Sequence, residues 1–155
     1  MAGRPVHTFE VVRSEQLTRH MVRVVLGGSG KGTGFDTFTP NDSTDAYVKL
    51  VFVDDAVDVD TLEHPLTLDS FKALDPTVRT YTVRRTDPQR REITIDFVVH
   101  GDHGVAGPWA ASAAPGQRIF VMGPSGAYAP DPAADWHLLA GDEAALPAIS
   151  AALEA

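Results

Sequence analysis

The sequence predicts a mainly β protein: a small antiparallel barrel of six strands with one short helix, followed by a C-terminal strand–turn–helix. Six segments carry alternating or continuous apolar residues, and turn-forming residues separate them. The predicted strands span residues 6–13, 21–26, 46–53, 79–85, 91–100 and 118–122. Six strands and one helix within about 125 residues are typical of a small antiparallel barrel.

Composition narrows the class of protein. With 155 residues, the chain can build one good core and part of a second domain. Its net charge of −8 disfavours a nucleic-acid partner. Without cysteine, this chain can form neither disulfides nor a cysteine-held iron–sulfur cluster. No signal peptide and no long apolar segment are present, so we expect a cytoplasmic protein without a membrane partner.

The first two strands are joined by a polar link, residues 14–20. The glycine-rich stretch 27–34 that follows them superficially resembles a phosphate-binding loop. It lacks the Gly-Lys-Ser/Thr ending at the required spacing, and no helical pattern follows it. We therefore expect a flexible loop whose end is held in the core by Phe35 and Phe38.

An acidic, irregular region, residues 54–75, follows the third strand. Residues 69–74 within it are compatible with a short helical turn. Its carboxylates are expected to be solvated and not to bind a metal. Residues 86–90 have the composition of a hairpin connection between the fourth and fifth strands.

The fourth strand combines an arginine, an aromatic ring and a hydroxyl. Side chains alternate along a strand, so Arg79 and Tyr81 share a face roughly 7 Å apart. This pairing suits a ligand with an anionic part and a flat aromatic part. Thr82 points to the other face but leaves its backbone groups available. The alternative is a surface strand with Tyr81 in the core, and the short pattern alone favours that alternative.

The fifth strand leads into a possible phosphate site. Alternating apolar residues end at His100 and are followed by the turn 101–104. A helix is then expected to begin at Pro108, presenting the amides of Trp109 and Ala110 to an anion, with that of Gly107 as a further candidate donor. Small residues before it would let the backbone approach a ligand closely.

The C-terminal region is predicted to change character. Residues 123–134, rich in Pro, Gly and Ala, are expected to form a linker or a loop beside the ligand, with Tyr128 covering one end of it. Residues 136–140 have the pattern of a buried strand, and 144–154 that of a helix. This strand–turn–helix is the usual opening of a parallel α/β unit.

Two histidines have the spacing His100-x-x-His103. We do not predict a metal site, because Asp102 is the only nearby carboxylate and there is no cysteine. His103 is expected to be a solvated turn residue. For His100 a ligand contact or a hydrogen bond at the strand end is expected.

Five motifs, taken in order, resemble those of the siderophore-interacting proteins, which are FAD-dependent ferric-siderophore reductases related to ferredoxin–NADP reductases. The motifs are Arg79-Thr80-Tyr81-Thr82-Val83-Arg84, Asp96-Phe97-Val98-Val99-His100-Gly101, Trp109-Ala110, Gly123-Pro124-Ser125-Gly126 and Gly141-Asp142-Glu143-Ala144-Ala145-Leu146-Pro147-Ala148-Ile149. The resemblance extends over residues 6–149. It implies the Greek-key, ferredoxin-reductase-like form of the predicted barrel.

The resemblance also implies a set of residues that bind FAD. Tyr81 and Thr82 would position the flavin ring, and no acid–base residue is implied. The implied cofactor-binding residues are Arg79, Tyr81, Thr82, Asp96, Phe97, Val98, His100, Ala106, Gly107, Trp109 and Ala110. The chain departs from the family pattern at Gly107, where a serine is usual, and at Ala144, where a threonine is usual.

The implied domain organisation is an FAD-binding β-barrel at 1–130 and the start of a truncated α/β pyridine-nucleotide domain at 131–155. The implied function is transfer of electrons from NAD(P)H, or another reduced carrier, through FAD to a ferric siderophore, which then releases Fe(II). The protein is expected to be a monomer. A general flavin reductase or electron-transfer module is one alternative. A β-barrel that binds a small ligand without redox activity is the other.

Replacing Arg79 with alanine is expected to weaken FAD binding sharply, because the guanidinium would neutralise the cofactor phosphates. A flavin titration of Arg79→Ala tests this role. An affinity equal to that of the parent chain would contradict it.

Overall fold

Seven strands and three helices form the regular structure of the computed structural model, which describes residues 4–28, 30–54 and 58–155. The strands are β1 (His7–Thr18), β2 (Met21–Gly27), β3 (Tyr47–Phe52), β4 (Thr77–Thr82), β5 (Arg85–Asp87), β6 (Glu92–Val98) and β7 (Arg118–Ser125). The helices are α1 (Leu68–Phe71), α2 (Ala106–Ala111) and α3 (Leu146–Leu153). Ser29 and residues 55–57, which fall in two predicted loops, lie outside the described residues.

Two residues link opposite edges of the sheet. The strands pair in the order β4-β3-β7-β1-β2-β6-β5, so β4 and β5 lie at its two ends. Only Val83 and Arg84 separate these strands in sequence. The Val83 amide donates to the carbonyl of Ala46 at 2.7 Å, and the Arg84 amide donates to that of Thr94 in β6 at 2.8 Å. The sheet must therefore curl until its edges meet at this link.

The mainly β, antiparallel prediction is confirmed, but the predicted six-stranded closed barrel is wrong in two respects. The predicted strand 79–85 ends at Thr82, and β5 forms a separate seventh strand. Among the described residues, no backbone ladder joins β4 to β6. Side chains such as Tyr81 and Phe97 meet across this gap instead, with ring centroids 4.4 Å apart.

The polar link predicted at 14–20 is largely a strand. β1 continues to Thr18 and pairs with β2 from Glu10 onward, with irregularities near Val11 and near Gln16. The side chains of this extension are mostly exposed. The extension shows no alternation of apolar residues because neither of its faces is buried. Backbone hydrogen bonds to β2 hold it in place instead.

The main core lies inside the curled sheet. It contains alternate residues of β1, β2, β3 and β6, including Phe9, Leu50 and Phe97, which are fully buried. The rings of Phe35 and Phe38 lie 6.4 and 5.3 Å from that of Phe9. The prediction that these two residues hold the end of the glycine-rich loop is confirmed.

A second apolar cluster lies on the outer face of β3 and β7. Phe71 of α1 packs on Phe120 of β7 with ring centroids 4.9 Å apart, beside the fully buried Val51. The helical turn predicted at 69–74 is confirmed as α1 and the 3₁₀ turn Lys72–Leu74. In its described part, the acidic region therefore covers a hydrophobic surface of the sheet.

The predicted strand at 136–140 is wrong, whereas the helix predicted at 144–154 is confirmed as α3. Trp136 and Leu138 are 75% and 79% exposed. A strand needs a neighbour to satisfy its backbone groups, and no described strand pairs with this segment. None of the described helices is long and apolar enough to cross a membrane.

Protonation of His7 is expected to destabilise the fold below neutral pH. The side chain is buried, Nδ1 lies 2.9 Å from Thr37 Oγ1, and the ring meets Phe38 edge-on at 5.5 Å. Burial lowers the pKa of His7 below its ordinary value of about 6.5. As pH falls through that value, the unfolded chain takes up a proton that the folded chain resists, so stability falls.

Urea unfolding between about pH 7.5 and 5.5 tests this expectation. The parent should lose more stability over that range than His7→Gln does. His103→Gln is the control, because the His103 side chain is 95% exposed, and it should follow the parent. Identical pH dependence in the parent and His7→Gln would contradict the expectation.

Candidate functional site

The gap between β4 and β6 contains a cavity of about 440 Å³. It lies where the sheet leaves two strand edges unpaired, and α3 borders it. Its lining consists of Thr80, Tyr81 and Thr82 from β4, Asp96 and Val98 from β6, Asp45 and Tyr47 at the start of β3, and Ala144, Pro147 and Ala148 in and before α3. The walls combine two tyrosine rings, two threonine hydroxyls, two carboxylates and small apolar groups.

The Tyr81 ring is held by the core. It is half-buried and packs on Phe97 at 4.4 Å with an interplanar angle of 40°. Phe97 packs in turn on Trp109 of α2 at 5.6 Å, and Trp109 packs on Phe52 at 5.8 Å. Burial raises the pKa of the Tyr81 phenol, so the group is neutral near pH 7. The cavity therefore has a rigid, uncharged aromatic wall.

Asp96 is committed to a partner in the sheet. Its carboxylate accepts from Arg23 Nε at 2.7 Å and from a terminal guanidinium nitrogen of Arg23 at 2.8 Å. The two residues are directly opposite in β2 and β6. The Asp96 side chain is 5% exposed and that of Arg23 is 31% exposed. This two-point ion pair fixes the floor of the cavity and removes the charge that a lone carboxylate would place there.

Four of the predicted cofactor residues line the cavity: Tyr81, Thr82, Asp96 and Val98. Three others, Phe97, Ala106 and Ala110, are buried in the core and support the cavity from behind. Gly107 and Trp109 lie in α2, and a Cβ at Gly107 would come within 3.8 Å of the Val98 carbonyl oxygen.

Helix α2 begins two residues before the predicted position. Ala106, and not Pro108, is its first residue, and the amide of Trp109 donates to the carbonyl of Val105 at 3.1 Å. The prediction that Trp109 offers a free amide is therefore wrong. By helix geometry, the unpaired first-turn amides belong to Ala106 and Gly107.

Arg79 and His100 lie outside the cavity lining. Arg79 is exposed and donates to the backbone carbonyl of Val78 at 2.9 Å. His100 is also exposed, with its ring 6.2 Å from that of His20. Both predicted ligand contacts stay predictions. Within the described ranges, no group of three or more His, Asp or Glu residues could hold a metal ion.

The prediction missed the residues at the start of β3. Tyr47 and Asp45 line the cavity, and Asp45 Oδ1 accepts from the amides of Ala127 and Tyr128 at 2.9 Å each. A Cβ at Gly126 would lie 2.9 Å from that same oxygen, which explains the glycine there. These contacts join positions about 80 residues apart, and periodicity carries no signal for them. Tyr128, predicted to cover the ligand, is 44% exposed.

Comparison with known proteins shows the family of this chain. Residues 10–128 match the model of the siderophore-interacting FAD-binding domain. The chain belongs to that family.

Its relatives differ in how much is known of them. The chain is 68% identical to an uncharacterised protein of Mycobacterium tuberculosis over its whole length, covering 55% of that protein. It is 38% identical to the ferric vibriobactin reductase ViuB of Vibrio cholerae, covering 94% of this chain and 52% of the relative. The chain is 39% identical to a siderophore utilization protein from T. fusca, whose crystal structure matches with a TM-score of 0.74. That match covers 97% of this chain and 56% of the other protein. The chain thus spans about half the length of each.

Asp96→Asn is expected to destabilise the domain by about 2 kcal/mol, because it leaves the Arg23 guanidinium without its charged partner beside a buried position. Urea unfolding measures this change. Glu92→Gln, which breaks the Arg13–Glu92 pair of the same strand, should cost less than about 1 kcal/mol, since Arg13 is 51% exposed. Equal losses in the two variants would contradict the special role of the Arg23–Asp96 pair.

Proposed function

We propose that this chain binds FAD in the cavity between β4 and β6, as the FAD-binding domain of a ferric-siderophore reductase. One observation carries the proposal: Tyr81 and Thr82, the residues predicted to position the flavin, line a cavity at the place where the sheet is open. The family of the chain and its relative ViuB, a ferric vibriobactin reductase, support the same proposal.

The residues of the cavity fit a flat heteroaromatic ring. Tyr81 supplies a fixed aromatic surface, and Thr80 and Thr82 supply hydroxyl and backbone partners along one strand. Ala144 and Ala148 leave room on the opposite side. Ala144 replaces the threonine usual in the family, so this wall lacks one hydroxyl.

The phosphates of FAD would be held by groups next to this cavity. Arg79 lies on β4 two residues before Tyr81, exposed, with a fork-shaped guanidinium that suits phosphate oxygens. The amides of Ala106 and Gly107 open α2 and can donate to an anion. Glycine at 107 provides no hydroxyl, so backbone donors replace the usual serine.

FAD, when bound, would supply the chemistry of accepting a hydride from NAD(P)H and passing electrons singly to Fe(III) in a siderophore. Oxygen-rich siderophore ligands hold Fe(II) less tightly than Fe(III), so reduction releases iron. The residues of this chain need no acid or base for that role. Tyr81 and Thr82 orient the ring, Arg79 offsets the phosphate charge, and the walls limit water.

The proposed domain organisation follows the sequence analysis. Residues 1–130 form the FAD-binding domain, and residues 131–155 begin an α/β domain for the pyridine nucleotide. We assign the electron donor, the ferric siderophore and a cytoplasmic location to the whole protein. The relative ViuB is about twice as long as this chain.

Binding of FAD is tested by the visible spectrum of the purified chain and by the flavin that heating releases. Tyr81→Ala should weaken FAD binding by at least about tenfold, because the stacking surface is lost. Trp136→Ala removes an aromatic ring that is 75% exposed and lies outside the cavity, and it should bind as the parent does. A chain that stays colourless after addition of FAD would overturn the proposal.

Electron transfer is tested separately from cofactor binding. The FAD-loaded chain is reduced with dithionite without air, freed of excess reductant and mixed with a ferric siderophore and an Fe(II) trap. Return of the oxidised flavin spectrum together with trapped Fe(II) supports ferric reduction. Turnover with free flavin but not with ferric chelates would instead indicate a general flavin reductase.

A further inference from the structure

Arg84, the last residue of the first motif, joins the sheet to α3. Its backbone is fixed in the link between β4 and β5, where the amide donates to Thr94. Its side chain is only 14% exposed. The two terminal guanidinium nitrogens donate to the two carboxylate oxygens of Glu154, at 2.9 and 2.5 Å. This is the bidentate geometry in which an arginine–carboxylate pair is strongest.

Glu154 occupies the C-terminal cap of α3. A carboxylate at that end is unfavourable by itself, because the helix dipole is negative there. The guanidinium of Arg84 compensates both the carboxylate and the helix end. The same hydrogen bond holds the pKa of Glu154 below its usual value, so the pair is ionised at neutral pH.

Helix α3 packs only partly against the rest of the described chain, with residues 148–152 half-buried. Pro147 is its one buried residue, and Leu146 and Leu153 are 45% and 73% exposed. Yet Pro147 and Ala148, in its first turn, form a wall of the cavity. Glu154 follows Ala148 by six positions, about 9 Å along the helix. The ion pair thus fastens the far end of the helix whose near end closes the cavity.

Three other arginines near Arg84 have partners within the sheet. Arg13 and Arg23 pair with Glu92 and Asp96 of β6, and Arg90 pairs with Asp87 of β5. In the described part of the chain, Arg84–Glu154 is the ion pair that connects the sheet to α3.

We propose that Arg84 and Glu154 are a positioning pair that holds α3 across the cofactor cavity, so that FAD retention and shielding depend on this ion pair. The inference rests on the proposed function. It assigns a role to two residues that need not touch the cofactor. Arg84 is fixed in the link between the sheet edges. Through Glu154 it holds α3, and with it the wall residues Pro147 and Ala148, in place.

The first test compares Glu154→Gln with the parent chain. The amide keeps the size of the side chain but removes its charge. FAD binding should weaken by about threefold to tenfold, and quenching of bound flavin fluorescence by neutral acrylamide should increase. In about 1 M NaCl the difference from the parent should shrink, because salt screens the exposed part of the pair. Equal affinity and equal quenching would overturn the inference.

A charge exchange separates pairing from general damage to the fold. Arg84→Glu and Glu154→Arg should each weaken FAD binding, and the double variant should recover most of the loss. Glu92→Gln is the control: it breaks a neighbouring ion pair that does not touch α3, and should bind FAD as the parent does. Losses that simply add in the double variant would contradict a direct pairing role.

Hydrogen exchange of residues 146–154 distinguishes this inference from the proposed function. Faster exchange of α3 in Glu154→Gln, without a change in the sheet, supports the ion pair as its attachment. Unchanged exchange overturns it, whatever the flavin result. If the parent itself takes up no FAD, the proposed function fails and so does the cofactor role of the pair, while the exchange data still decide whether it holds the helix.

Discussion

The two-residue link between β4 and β5 is the constraint on which the rest of the structure depends. Because Val83 and Arg84 must carry the chain between opposite sheet edges, the seven strands have to curl. The curl brings β4 opposite β6 but does not pair them, which leaves a gap lined by side chains. A closed ladder would place backbone hydrogen bonds where the cavity now lies. The candidate site is therefore a product of incomplete closure.

The walls of that gap are rigid because the core supports them. Phe97, fully buried, contacts Tyr81 on one side and Trp109 on the other. The neighbouring Asp96 is fixed by Arg23 across the β2–β6 pair. Alternation along β6 thus sends one residue into the core and the next to the cavity floor. A site on such a strand is preorganised more fully than one on a loop.

Local sequence patterns predicted the strands and the motifs, but not the contacts between residues that are distant in sequence. Alternation in residues 93–99 and the motif around Tyr81 identified both sides of the cavity. Asp45 and the Arg84–Glu154 pair were missed, since their contacts join residues roughly 70 or more positions apart. Tyr47 was missed because it meets Thr82 only through the pairing of β3 with β4. The start of α2 was misplaced because Pro108 is tolerated throughout a first turn, and the strand at 136–140 was wrong because apolar sequence forms a strand only beside a partner.

The exposed segment 136–140 has a consequence for how the chain behaves in solution. The aromatic ring of Trp136 and the aliphatic side chain of Leu138 are exposed to solvent there, and no described strand pairs with the segment. Exposed apolar side chains of this kind favour association between molecules. The net charge of −8 opposes that association at long range, and salt weakens the opposition. Association through this stretch is therefore expected to increase as the salt concentration rises.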